Sequence, residues 1–138
     1  MIMNSSNPES ILTRIAERLP KHLGQVWGGL WAGELKGPRE LARVVGEYLS
    51  EVKKLAETEE FLDVETARWC ADGCLELIEE YGGHRDAEVR RAVQGAVAYF
   101  AEAQDGEDDV ASITGFDDDA LVVRTVRSVL DAMDLTEE

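Results

Sequence analysis

Basic side chains are scarce in this sequence. It holds 14 Lys and Arg against 29 Asp and Glu, a formal net charge of −15, which opposes docking on a nucleic-acid phosphate backbone unless cations are concentrated locally. The densest groupings are Lys53-Lys54 and the stretch from Arg85 to Arg91, which Asp86 and Glu88 dilute. No direct nucleic-acid binding is expected. Histidine is limited to His22 and His84, both at expected helix termini where a solvated polar residue is ordinary, so neither is assigned as a general base. The 2 cysteines, Cys70 and Cys74, are four residues apart in a helical pattern. That spacing suits neither a disulfide framework nor, without a nearby His or a second pair, a zinc site. Reduced, buried thiols are expected.

Long apolar runs are missing too. Nothing approaches the ~18 to 20 apolar residues that cross a bilayer, and MIMNSSNPES lacks the basic start and apolar core of a secretory signal. The reading is no membrane span and a cytoplasmic location. P-loop, G-x-G-x-x-G, G-x-S-x-G and H-E-x-x-H patterns are absent, so no catalytic residue is assigned and no cofactor is predicted.

What is present is helical periodicity, with no sustained alternation of the kind strands show. The expected fold is all-α, one compact domain over residues 1–138 with five or six helices. The first is expected from Asn7-Pro8-Glu9, where Asn caps free amides and Pro suits the first turn, through Ile11, Leu12, Ile15 and Leu19 to the break at Pro20. A second covers Lys21 to Leu35. Gly37-Pro38 opens a third, carrying Leu41, Val44, Val45, Tyr48, Leu49, Val52 and Leu55. The fourth runs from about Asp63 to Tyr81 with Ala67, Cys70, Ala71, Cys74, Leu77 and Ile78 inward; Asp72, Glu76, Glu79 and Glu80 fall opposite that stripe as a solvated row. Asp86 to about Ala103 is the fifth, with Val89, Ala92, Val93, Ala96 and Phe100 on one face. Asp117 or Asp118 starts the sixth, and a frayed Thr136-Glu137-Glu138 tail follows.

Two segments stand out as candidate binding sites. Between Lys21 and Leu35, Trp27 and Trp31 accompany Gly24, Gly28, Gly29 and Gly33, and each Gly costs a helix about 1 kcal/mol relative to Ala. Either the glycines admit a neighbouring backbone and the indoles fill the core, or the segment docks on a partner or a membrane surface. The scarcity of large side chains favours the core.

The other is the connection DGEDDVASITGFDDDA, residues 105–120, with seven carboxylates and no base. Extended to AVAYFAEAQDGEDDVASITGFDDDALVV, it resembles the signature of the YkvA-like family, a bacterial domain of unknown function whose core reads approximately A-L-x-Y-F-x-x-P-x-D-x-I-P-D-x-x-P-x-x-G-Y-x-D-D-A. Tyr99-Phe100 match the aromatic pair, Asp105 and Asp109 two of the Asp positions, Gly115-Phe116 the Gly-aromatic step, and Asp118-Asp119-Ala120 the start of the last helix. The likeness covers residues 89–129. Glu107-Asp108 replace the family's Ile-Pro, and Ala103 its first Pro. The resemblance implies a helix, an acidic loop and a helix forming a C-terminal hairpin, with Asp105, Asp109, Gly115, Phe116, Asp118 and Asp119 as the candidate binding loop.

Two classes of function follow. The preferred one is a non-enzymatic binding or regulatory protein, an accessory or immunity-type component docking on a protein partner with a basic surface through the acidic loop or the Trp27/Trp31 segment. The alternative is a small divalent-metal-dependent hydrolase, with Asp105, Asp109, Asp118 and Asp119 holding Ca²⁺ or Mg²⁺. Against it, the spacing is not that of an EF-hand, and helix caps and arginine pairing account for the loop more simply.

Overall fold

The computed structural model describes residues 10–60, 62–101 and 116–133. Six helices and no strand occur among them: α1 (Ile11–Arg18), α2 (Lys21–Trp31), α3 (Pro38–Ala56), α4 (Val64–Tyr81), α5 (Ala87–Ala101) and α6 (Asp117–Ala132). No helix among them is long and apolar enough to cross a membrane.

Local chemistry sets most boundaries. Ser10 caps α1, its hydroxyl accepting from the Thr13 amide at 3.0 Å. The cap is therefore Ser10 and not Asn7; Asn7 to Glu9 lie outside the described residues. Pro20 separates α1 from α2, and Pro38 occupies the first turn of α3, as expected. Asp63 caps α4 by accepting from the Thr66 amide at 3.0 Å and the Thr66 hydroxyl at 2.6 Å. Those hydrogen bonds hold its carboxyl below the ordinary 3.8.

α5 is the axis of the molecule, touching α1, α2, α3, α4 and α6. The sequence suggested one apolar face, but burial extends around the helix: Gln94, Gly95, Val97 and Ala98 are buried along with Val89, Ala92, Val93, Ala96 and Phe100. Small side chains explain this, because a helix surrounded on all sides must let its neighbours come close. The tightest approach is at Gly95, where an added Cβ would lie 2.7 Å from the Trp27 ring. In α2, by contrast, Gly28 and Gly29 have nothing within 4 Å. Gly24 of α2 does admit a neighbouring backbone, since an added Cβ there would lie 3.2 Å from the Ala16 carbonyl oxygen of α1, while the indole of Trp27 is received by a glycine of α5.

Phe100, near the end of α5, packs against Phe116 at the start of α6 with centroids 6.4 Å apart, and Tyr48 of α3 meets Phe100 edge-on at 5.1 Å. These contacts bring the ends of the C-terminal hairpin together. Its acidic connection, residues 102–115, lies outside the described residues.

Candidate functional site

Along α4, Glu65, Trp69, Asp72, Glu76 and Glu79 recur at alternating steps of four and three, so they share one face, and all five are exposed. Trp69 alone in that row is apolar, and it is 47 % exposed. Beside it α4 meets α6. Gly73 sits so close to Val123 that an added Cβ would lie 2.8 Å from the valine Cγ1. Above this contact a groove of about 300 Å³ is lined by Trp69, Asp72, Gly73, Glu76, Val123, Arg124 and Arg127.

The two arginines behave differently. Arg127 is held by α4 and its own helix: Nη2 donates to both Glu80 oxygens at 3.0 Å, Nε donates to Asp131 at 3.2 Å, and Nη1 is 3.8 Å from Glu76. Burial opposes its charge, yet the Glu80 hydrogen bond and the Asp131, Glu80 and Glu76 charges outweigh that and raise its pKa. The Tyr81 hydroxyl extends the network by donating to Asp131 at 2.7 Å. Burial first, then this bond, pushes Tyr81 up to about 12. Arg124 instead lies over the Trp69 ring, 5.7 Å from its centroid. The groove thus has an aromatic wall and a narrow apolar floor, with Asp72 and Glu76 from α4 facing Arg124 and Arg127 from α6.

The residues singled out from sequence are distributed elsewhere. Trp27 is 2 % exposed, and its indole N–H donates to the Leu12 carbonyl at 3.1 Å. Docking through Trp27 is thereby corrected: the ring fills the core between α1 and α5. Trp31 is half-buried against that core, and its carbonyl accepts from Arg91 at 2.8 Å. Phe116 is buried. Asp118 and Asp119 diverge. The Asp118 side chain is 49 % exposed and 3.5 Å from His22 Nε2, whereas Asp119 is buried and its charge bears on Cys70 and Cys74. Adjacent helical positions point about 100° apart, so these two carboxylates do not converge on one ion. Asp105, Asp109 and Gly115 lie outside the described residues. Among the described residues no group of three or more His, Cys, Asp or Glu is placed to hold a metal.

Both thiols are buried and free. Desolvation, then the Asp119 charge, pushes Cys70 up to about 12, and desolvation also raises Cys74. They are core side chains.

No family model, curated protein or solved structure matches the chain. The function therefore rests on geometry and charge. Trp69 was the residue missed in the sequence, although the signal was legible: one indole in a row otherwise made of carboxylates.

Proposed function

We propose that this chain is a non-enzymatic binding module that docks a Lys- or Arg-bearing segment of a protein partner along the α4–α6 groove. The observation carrying this reading is the exposed Trp69 within the acidic row Glu65, Asp72, Glu76 and Glu79. An exposed Trp beside a groove supplies the kind of anchor that concentrates binding energy at interfaces. The surrounding carboxylates and the net charge of −15 speed encounter with a cationic partner and repel acidic ones. An accessory or immunity-type role in the cytoplasm, and membership of the YkvA-like family, belong to this proposal.

The test is selection of binders from a random displayed peptide library. Enrichment of basic sequences containing an apolar residue, with binding lost on Trp69→Ala, is the expected result. Enrichment without basic bias, or equal binding to the Trp69→Ala variant, would overturn it.

A further inference from the structure

The exposed row on α4 has a period, and the period selects the shape of what can lie along it. Glu65, Trp69, Asp72, Glu76 and Glu79 follow one another at steps of four, three, four and three residues. On a helix rising about 1.5 Å per residue that sets the five side chains over about 21 Å, one every 5.3 Å or so. Side chains on one face of a second helix recur at the same average of about 3.5 residues, so they meet the row step for step. An extended segment presents its same-face side chains about 6.6 to 6.8 Å apart and falls roughly one whole site out of step over the same length.

The row is flanked by apolar side chains. Trp69 is 47 % exposed and Leu75 is 39 % exposed, and their separation of six residues sets them about 120° apart around α4. Leu75 adjoins Asp72 and Glu79 by steps of three and four, on the side of the row away from Gly73 and α6. A helix seated on the row therefore meets carboxylates along its middle and an apolar contact on either side. The groove of about 300 Å³ over Gly73 and Val123 receives one of its side chains as a knob. Among the cations nearby, Arg127 is bonded to Glu80 and Asp131, Arg124 lies on the indole, and Arg68 stands on the Leu75 side. A second copy of this chain, with its net charge of −15, is repelled from such a face, whereas a basic helix is attracted.

On the basis of the docking proposed above, we infer that the partner segment is an α-helix of about four turns, with Lys or Arg recurring at steps of three and four and apolar residues beside them. A free segment of about 15 residues is only marginally helical in water, so it orders as it binds.

Calorimetric titration of the full chain with two peptides of identical composition tests this, one carrying Lys at steps of three and four with Leu beside them, the other carrying Lys at every second position. The first is expected to bind at least about ten-fold more tightly and to gain helical circular dichroism in the complex. Leu75→Ala is expected to weaken it about five-fold, whereas Leu55→Ala, at a leucine 38 % exposed near the end of α3, leaves it unaltered. Equal or tighter binding of the alternating peptide, no gain of helix, or equal responses to Leu75→Ala and Leu55→Ala overturns the helical partner. Such a result with binding still lost on Trp69→Ala leaves the docking itself standing. Binding of neither peptide up to about 1 mM overturns both.

Discussion

Arg124 lies over Trp69, its guanidinium carbon 5.7 Å from the indole centroid. The cation of α6 thus occupies the ring face that a partner's Lys or Arg would use. Removing it has a sign that an inert surface residue would not produce. Arg124→Gln is expected to tighten binding of a basic peptide, measured by calorimetry, because a competing cation leaves the aromatic wall. Trp69→Ala is expected to weaken the same peptide about 30-fold, a loss of about 2 kcal/mol, while changing folding stability by less than about 1 kcal/mol.

Glycines of the same type should respond in opposite directions. At Gly95 an added Cβ would meet the Trp27 ring at 2.7 Å, whereas at Gly29 it would meet nothing within 4 Å. Gly95→Ala is expected to destabilise by about 1 to 3 kcal/mol despite its better helix propensity, through overpacking. Gly29→Ala is expected to be neutral or to stabilise by up to about 1 kcal/mol. Urea denaturation midpoints of both variants check the contrast.

Gln94 joins α5 to the α2–α3 connection with one acceptor and one donor. Gln94→Leu keeps the bulk but leaves the Lys36 amide and the Glu34 carbonyl without that partner, at a cost of about 1 to 3 kcal/mol. Hydrogen exchange at the Lys36 amide should accelerate more than exchange within α5.

The pH limits follow from groups whose proton affinity changes on folding, among them Asp63, Cys70 and Tyr81. Asp63 has a folded pKa below the ordinary 3.8, so its contribution is present above that value and lost as pH falls through the depressed one. Cys70 and Tyr81 are raised to about 12 from ordinary values of 9.0 and 10.0. Both hold their protons longer folded than unfolded, so their contributions are complete below the ordinary values and lost as pH rises toward 12. Urea midpoints should be flat near neutrality, falling in acid and above pH 9. Cys70→Ala should make the alkaline fall shallower, and Asp63→Ala the acid one, whatever their effect at pH 7.

Helix order was legible because prolines, caps and apolar spacing act locally: Pro20, Pro38, Asp63 and Gly82 all stand where elements begin or end. The all-round burial of α5 had a signal as well, since no charged residue occurs from Ala92 to Ala101. What the sequence hid is convergence. Asp118 and Asp119 look alike as letters, yet one faces His22 and the other is buried near the thiols, because a single helical step turns the side chain by about 100°. Arg85 to Arg91 looked diluted by Asp86 and Glu88, and Lys36, distant in the chain, lines one pocket with Arg85 and Arg90 only in the fold.

The docking claim is tested most directly by the indole N–H resonances of the 3 tryptophans in a nitrogen-15 spectrum during titration with a selected basic peptide. The account predicts a saturating shift of the Trp69 signal together with the amides of α4 and α6 around the groove, while Trp27, bonded to Leu12 in the core, stays in place. Saturation with the Trp69 signal unmoved and the shifts gathered on another face would contradict it.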